Sequence, residues 1–232
     1  MRIGTKSVLF GVHQFALHPL FIALGWWKAF GFARVQIPYR RAIDAWAKSD
    51  SLETRELGVE LVDLAPPTTT SLLDPRLWIA FLVHDIGYLG KPNMDGAEGE
   101  THPELGATIM RRLFGDAWGD FVLLHSRYYA KRLGRPLSPL CIADKWVIVL
   151  EPSWLYLPRA RASGELDEFL DVGQRRAAES DTMMNAEERA GFLRRDAHVW
   201  HQTVKAYMRR WIAEHSDGRL DTWTGRRHEV AP

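Results

Sequence analysis

Apolar residues recur at helical spacing along most of this chain, and no stretch shows the sustained apolar–polar alternation of a strand. The clearest apolar run covers residues 19–30 and begins at Pro19, a favoured first helical position. An amphipathic pattern over 39–64 predicts one or two further helices, and residues 65–71 predict a loop. We therefore predict an all-α fold.

Capping and turn residues divide the rest of the chain into elements. Asp74 is a good N-cap and Gly87 a good helix end, so a helix is predicted over 75–86. Thr101 and Glu104 have the spacing of a capping box. A loop is predicted over 90–100, followed by helices over 102–113 and 117–131. A further helix begins at Ser138-Pro139 and ends before Pro152, and the segment over 151–160 is predicted to be irregular. The last predicted elements are helices over 164–180 and, after the Asn185 cap, 186–214, and then a polar, frayed tail from Ser216.

Composition limits the classes of partner. The 232 residues suit a single domain over 1–232, and the formal net charge of +1 gives no reason to expect duplex nucleic acid as a partner. The chain has one cysteine, Cys141, so no intramolecular disulfide can form, and we expect a reducing, cytoplasmic location. Because Cys141 lies in an apolar run, we interpret it as a small buried residue rather than a nucleophile.

The segment over 7–27 has some features of a membrane-spanning helix. It contains no Asp, Glu, Lys or Arg and is roughly long enough to cross a bilayer. However, His13, His18 and Pro19 lie near its centre, and polar groups at that depth are costly in lipid. We interpret the segment as buried helix and expect no membrane partner.

Two acids stand in apolar surroundings. His84 and Asp85 follow the apolar end of the predicted 75–86 helix, and Asp144 lies within the apolar sequence "SPLCIADKW". An ionised carboxylate in such a place needs a partner. Lys145 is adjacent, but successive residues on a helix diverge by about 100°, so we expect it to be a poor partner for Asp144. A metal ion would satisfy both acids, and imidazole with carboxylate suits Fe, Mn, Zn or Co.

The order of these residues resembles the HD superfamily of metal-dependent phosphohydrolases, in its six-ligand, two-metal branch. Local motifs carry the resemblance: "HPLFIAL", "LVHDIGY", "THPELGATIM", "LLHSR" and "SPLCIADK" are similar to the segments that hold that family's ligands. The resemblance covers residues 13–145. It implies a site with two divalent transition-metal ions, Fe, Mn, Co or Zn, and these ligands: His18, His84, Asp85, His102, His125 and Asp144.

The resemblance also implies an architecture, a helical bundle with its core over 8–150 and a C-terminal helical extension over 153–215. The interval between His18 and His84 is longer than the family usually shows, and a helical insert at about 39–64 would account for it. His13 is an alternative first ligand; the sequence that follows His18 fits the family better.

The activity implied is hydrolysis of a phosphoester or phosphoanhydride, in a nucleotide or other small phosphorylated metabolite, through a metal-activated hydroxide. His84 and Asp85 would act at the centre, and Arg127 and Lys145, next to two ligands, are candidates for catalytic contacts with the substrate. One alternative is a diiron oxygenase acting on a small polar or phosphonate substrate, although those enzymes carry basic substrate-binding residues near the HD turn, whereas here Tyr88 lies three residues past Asp85. A second is a non-catalytic metal-binding helical domain. The oligomeric state stays open.

Other features receive a structural interpretation first. The acidic, glycine-containing loop over 90–100 is a connector that could also serve as a lid. His198 and His201 have a spacing that can bind metal, yet no carboxylate pattern joins them, so we interpret them as structural. The aromatic segment around Trp154 and Tyr156 is assigned to core packing, with a groove beside the site as the alternative.

Overall fold

The computed structural model describes residues 1–37, 68–179, 183–219 and 221–223. The helices predicted over 39–64 lie outside these residues. In the part that is described the protein is all-α, which confirms the predicted fold class. The helices, in chain order, are α1 Ile3–Phe10, α2 His18–Phe30, α3 Pro75–Val83, α4 Pro103–Phe114, α5 Asp116–Leu123, α6 Arg127–Leu133, α7 Pro139–Leu150, α8 Ser153–Ser163, α9 Glu165–Ala178, α10 Ala186–Leu193 and α11 Ala197–His215.

A two-stranded antiparallel pair interrupts the helical pattern. Strand β1 is Val35–Gln36 and strand β2 is Thr69–Thr70, with Val35 opposite Thr70. The second strand falls within the stretch predicted as a loop. Two residues are too few to produce a period-two signal, so the sequence pattern could not show them.

The N-terminal segment is helical in two pieces. The apolar run over 7–27 was predicted as buried helix, but α1 ends at Phe10 and α2 begins at His18. His13 therefore lies in the connection between them. Among the described residues, no helix has both the length and the apolar character needed to cross a membrane.

Helix α3 ends earlier than predicted. Asp74 caps its start as expected, since its Oδ1 accepts a hydrogen bond from the backbone N–H of Arg76 at 3.0 Å. The helix stops at Val83 instead of residue 86, and a 3₁₀ turn follows over Ile86–Tyr88. His84 and Asp85 consequently occupy a bend rather than the last turn of the helix.

The helix predicted over 117–131 is two helices, α5 and α6. Ser126 caps α6 by accepting from the backbone N–H of Tyr129, and such local capping competes with helix continuation. His125 lies in the break. The capping box predicted for Thr101 and Glu104 is also wrong, because the side chain of Thr101 bonds to the carbonyl of Glu98 and His102 is the N-cap of α4.

Three predictions for the C-terminal part of the chain differ from the structure. The segment over 151–160, predicted to be irregular, lies largely in α8, which has Pro158 inside it. The single helix predicted over 186–214 is broken where Arg195 adopts a positive φ of 51°, although the predicted N-cap at Asn185 is confirmed and forms a capping box with Glu188. The tail is not frayed throughout, since Trp223 is buried.

Helix α7 lies between two apolar clusters. Ala143 and Val147 belong to the cluster formed mainly by α2 to α5, whereas Cys141 and Val149 belong to the cluster formed mainly by α8 to α11. Cys141 is fully buried, as predicted. Because both faces of α7 are covered, Asp144 is held at the junction of the two clusters.

Candidate metal centre

The carboxylate of Asp85 lies at the centre of four histidine rings. Its Oδ2 is 3.2 Å from Nε2 of His18 and 3.0 Å from Nε2 of His84. Its Oδ1 is 3.4 Å from Nε2 of His102 and 3.5 Å from Nε2 of His125. All five residues are buried. The two carboxylate oxygens thus face two different pairs of imidazoles.

Local backbone structure brings these side chains together. His84 and Asp85 project from the bend after α3, His102 from the start of α4, and His125 from the break before α6. At Gly87 the chain passes so close to the next ligand segment that a Cβ would lie 2.0 Å from the carbonyl oxygen of His102. Glycine is therefore required for this approach.

Backbone carbonyls fix the tautomer of three histidines. The Nδ1 atoms of His84, His102 and His125 each lie within hydrogen-bond distance of a carbonyl oxygen three residues earlier, at 3.0, 2.7 and 2.5 Å respectively. A carbonyl can only accept, so each Nδ1 carries the proton. In the neutral ring each Nε2 then presents a lone pair toward Asp85, and this arrangement is typical of metal-ligating histidines.

Several of these inward-facing atoms lack a protein partner. Nε2 of His102 lies 3.1 Å from Nε2 of His125, which places two lone pairs opposite each other. Nε2 of His84 is likewise buried with no hydrogen-bond partner in the described part of the chain. Unpaired buried acceptors are costly, and a cation would satisfy them all. The donor set therefore fits a metal ion.

The donor atoms form two groups that share one residue. His18, His84, Asp85 and Asp144 make the first donor group, and Asp85, His102 and His125 make the second. Within each group the ligand atoms lie within 4.8 Å of one another. Ligands about 2.0–2.2 Å from a common ion must be similarly close to one another. Both groups can accordingly hold metal ions, with Asp85 between them.

The acids of the centre are ionised. Burial opposes ionisation of Asp85, but the surrounding histidines outweigh it and hold the pKa of Asp85 well below its usual range. Lys145 and His18 do the same for the pKa of Asp144. Burial lowers the pKa of His84 and of His102, so both rings are neutral near pH 7. Ionised acids and neutral imidazoles are the forms that bind metals.

His18 behaves differently from the other rings. Burial opposes its protonation, yet the carboxylates of Asp144 and Asp85 prevail and raise the pKa of His18 to about 9. Its Nε2 is 3.4 Å from Oδ1 of Asp144, in addition to its contact with Asp85. The proton on His18 takes the place that a cation would occupy between the two carboxylates.

Lys145 does contact Asp144, and the prediction that it would be a poor partner was wrong. Its Nζ lies 2.6 Å from Oδ2 of Asp144. The Cα–Cβ directions diverge, but four flexible methylene groups let the ammonium fold back to the neighbouring carboxylate. Burial lowers the pKa of Lys145 less than Asp144 raises it, so Lys145 stays charged.

The guanidinium group of Arg127 lies close to helix α11. Its Nη1 is buried without a hydrogen-bond partner among the described residues, and Oδ2 of Asp221 is 3.8 Å away. The guanidinium lies 5.5 Å from the ring centre of Trp211. Arg127 and Lys145 line the same cavity as His18 and Asp144.

That cavity has a volume of about 200 Å³ and is lined by both charged and apolar residues. The polar residues of its lining include ligand candidates and nearby cations, and Arg176 of α9 adds a third cation. Apolar side chains from α9, α10 and α11 complete it. The cavity therefore connects the donor groups with helices α9, α10 and α11.

The structure assigns His13 a place beside the centre but outside both donor groups. Its ring centre is 5.1 Å from that of His18, while its Nδ1 lies 2.9 Å from Oε1 of Glu165 and 2.8 Å from the hydroxyl of Ser7. Glu165 is fully buried and its pKa is lowered, because hydrogen bonds from His13, Ser163 and Ser7 outweigh the effect of burial. Sequence reasoning missed Glu165, since nothing near it in the chain signals this partner.

The loop over 90–100 forms part of the cavity wall. Glu168 of α9 accepts hydrogen bonds from the backbone N–H groups of Met94 and Asp95, at 2.9 and 2.8 Å. Asp95 lines the cavity, whereas Lys91 donates to the hydroxyl of Thr101. The loop thus connects α9 to the ligand segment of His102; motion as a lid stays a prediction.

The remaining candidates have structural surroundings. His201 is buried, lies 2.8 Å from the hydroxyl of Ser153 through Nδ1, and stacks on Tyr156. Neither His201 nor His198 belongs to a donor group among the described residues. Of the aromatic segment, Trp154 is 75% exposed, so it belongs to neither core nor groove, while Tyr156 lines the cavity.

Comparison of the chain with protein-family models, with curated proteins and with solved structures gives no match. The fold and the site themselves therefore define the class. This is an all-α protein with a buried histidine and aspartate cluster that can bind metal.

Proposed function

We propose that this protein is a metal-dependent phosphohydrolase of the HD type, which uses two divalent ions to hydrolyse a phosphoester or phosphoanhydride of a small phosphorylated metabolite. The observation that carries the proposal is the convergence of Nε2 lone pairs from His84, His102 and His125 on the two oxygens of Asp85. A buried set of imidazoles that all turn Nε2 toward a shared carboxylate has no evident structural purpose without cations.

Each donor group would hold one ion, with Asp85 bridging the pair. His18, His84 and Asp144 would complete the first site, and His102 and His125 the second. Bound divalent ions supply a nucleophilic hydroxide at neutral pH and neutralise charge on the phosphate. The second donor group has fewer protein ligands, so it leaves more coordination positions to substrate and water.

The positive residues of the cavity favour an anionic substrate. Arg127 and Lys145 face the same cavity as His18 and Asp144, and both keep their charge. Nη1 of Arg127 makes no hydrogen bond among the described residues and faces Asp221 only at 3.8 Å, so we propose that it donates to a phosphate oxygen. We assign to Arg127 and Lys145 the binding and orientation of the phosphoryl group.

The types of donor atom limit which metal ions the site can bind. Nitrogen from imidazole together with carboxylate oxygen suits Mn, Fe, Co or Zn, whereas a site for Mg or Ca would be built mainly from oxygen. We therefore propose Fe, Mn, Co or Zn as the ion, with two ions per chain when both donor groups are filled.

The test combines metal analysis with a phosphatase screen. Protein purified without chelator and supplemented with Mn or Co is assayed against nucleotides and small phosphate esters. Asp85→Ala should abolish both metal loading and turnover, because Asp85 belongs to both donor groups. Asp217→Ala, which removes an exposed acid paired with Arg219, should change neither. Wild-type metal content and activity in the Asp85→Ala variant would overturn the proposal.

The same ligand set would serve the alternative of a diiron oxygenase, and the assay separates the two. Hydrolysis of a phosphate ester proceeds at the same rate with and without oxygen. Turnover that requires oxygen and iron would replace the hydrolase by the oxygenase. A folded protein that retains metal and turns over none of the phosphate esters would point to the non-catalytic alternative.

A further inference from the structure

The cavity next to the donor groups has an apolar side that phosphate binding does not use. We call it the apolar wall, and it is formed by side chains of α9, α10 and α11: Phe169, Val172, Phe192, Trp200, Val204 and Met208. These residues share one cavity with His18, Asp144 and Arg127. A molecule whose phosphoryl group reaches the ligands would therefore have its remaining atoms next to the apolar wall.

The size of the cavity limits what can lie there. Its volume is about 200 Å³. An apolar cavity of about 150 Å³ is large enough to hold a benzene molecule. The enclosed space beside the ligands thus suits a single ring or a short alkyl chain, and a nucleoside with both its sugar and its base would extend out of the cavity into solvent.

The chemistry of the apolar wall points in the same direction. Its six side chains offer only the indole N–H of Trp200 to a polar edge, and Tyr207 and Arg176, from the same helices, add a hydroxyl and a guanidinium group to the cavity. A nucleobase placed there would lose its hydrogen bonds to water without replacing most of them, and such unpaired polar groups cost affinity. An apolar group gains from leaving water.

We propose, resting on the function proposed above, that the substrate joins its phosphoryl group to a compact apolar group that lies against the apolar wall. That group is a single ring or a short alkyl chain. The C-terminal extension then sets substrate choice, because it supplies all of the apolar wall, while the donor groups act on the phosphoryl group.

The test is a binding measurement with phosphonates, which cannot be hydrolysed at the carbon–phosphorus bond. Calorimetric titration of the Mn-loaded full-length protein compares phenylphosphonate with methylphosphonate. We expect phenylphosphonate to bind at least about tenfold more tightly, because only the phenyl ring reaches the apolar wall. Equal affinities, or binding of neither compound, would overturn the inference.

Two variants test whether the apolar wall is the part of the protein that prefers phenylphosphonate. Val172→Trp should fill the cavity and Phe169→Ala should remove a ring from its lining, so each should reduce the preference for phenylphosphonate several-fold with methylphosphonate binding and metal content unchanged. Asp167→Ala, an exposed position on the same helix, is the matched control and should keep the preference. If Val172→Trp does not fold, the Phe169→Ala variant alone tests whether the apolar wall causes the preference for phenylphosphonate. A preference that survives in Phe169→Ala would place the phenyl group elsewhere and overturn the inference.

This result is independent of the phosphatase screen. A protein that binds phenylphosphonate selectively but hydrolyses no phosphate ester supports the ligand class and overturns the proposed hydrolysis. A protein that hydrolyses hydrophilic phosphate esters and binds both phosphonates equally supports the proposed function and overturns the inference.

Discussion

Nε2 of His102 and Nε2 of His125 lie 3.1 Å apart, and in the neutral form of these rings neither Nε2 carries a proton, because the single proton of each ring is on Nδ1, which donates it to a backbone carbonyl. Oδ1 of Asp85, which is 3.4 and 3.5 Å from these two nitrogens, adds a third electron-rich atom. In a buried place this arrangement is unfavourable unless a cation lies among the three atoms.

Removing one ring of this pair should remove one ion. His125→Ala deletes a ligand of the second donor group and leaves the first group of His18, His84, Asp85 and Asp144 intact. We expect the metal content after loading and desalting to fall from about two ions per chain to about one, because three or four protein ligands are needed to retain an ion. Plasma mass spectrometry measures the ratio.

The matched control is His198→Ala, which removes an exposed histidine outside both groups. It should leave the metal content unchanged. Two ions retained by His125→Ala would contradict the assignment of separate sites, and complete loss of metal would mean that the two groups cannot be filled independently.

Gly87 should be required for metal affinity as well as for stability. A Cβ at this position would lie 2.0 Å from the carbonyl oxygen of His102, so Gly87→Ala must push the ligand segments apart. We expect lower thermal stability and a metal affinity reduced by about tenfold or more, since metal ligands tolerate displacements of only a few tenths of an ångström. Competition with a chromogenic chelator measures the affinity.

Gly134→Ala serves as the comparison. Gly134 ends α6 with φ of 60°, and a Cβ there would meet nothing within 4 Å. Alanine in this backbone conformation should cost about 1 kcal/mol of stability without changing metal affinity. Equal losses of metal affinity in the two variants would show that general destabilisation is responsible.

The sequence predicted best those features that depend on neighbouring residues. The caps at Asp74 and Asn185 were found because each acts on backbone N–H groups two or three residues away. The break before α6 was missed because apolar periodicity continues across it, and only the hydroxyl of Ser126 distinguishes the break from a continuous helix.

For the candidate site, the sequence indicated which residue types to consider but not how they are oriented. The ordered motifs drew attention to His18, His84 and Asp85, and the structure brings these side chains together. The hydrogen bond between His13 and Glu165 joins residues 152 positions apart in the chain, so no local pattern could reveal it. Long-range packing also decides which residues form the cavity.

His201 should make the protein sensitive to acid. Burial, followed by the charge of Lys205, lowers its pKa from 6.5 to about 3. The unfolded chain therefore takes up a proton below about pH 6.5, whereas the folded protein does not until about pH 3, and stability present above pH 6.5 is lost as the pH falls through this range. The loss from one such group is at most about 1.4 kcal/mol per pH unit.

His201→Gln should flatten this dependence, because glutamine does not titrate. Thermal unfolding of the metal-free protein between pH 7 and pH 5 measures it, with His198→Gln as the control at an exposed position of the same helix. Parallel stability curves for His201→Gln and the wild type would contradict the assignment, whether or not the substitution lowers stability at pH 7.

Cys141 should be unreactive in the folded protein. Its thiol is fully buried on α7, and burial raises its pKa to about 12, so neither access nor ionisation favours attack on a reagent. We expect alkylation by iodoacetamide at pH 8 to be slower by about a hundredfold or more in native buffer than in guanidinium chloride, where unfolding exposes the thiol. A second thiol introduced by Ser216→Cys, at an exposed position, provides the internal reference and should react at once in native buffer. If Cys141 reacts as fast as this reference without denaturant, then α7 is not held between the two apolar clusters as described, and the position of Asp144 next to His18 would need to be revised with it.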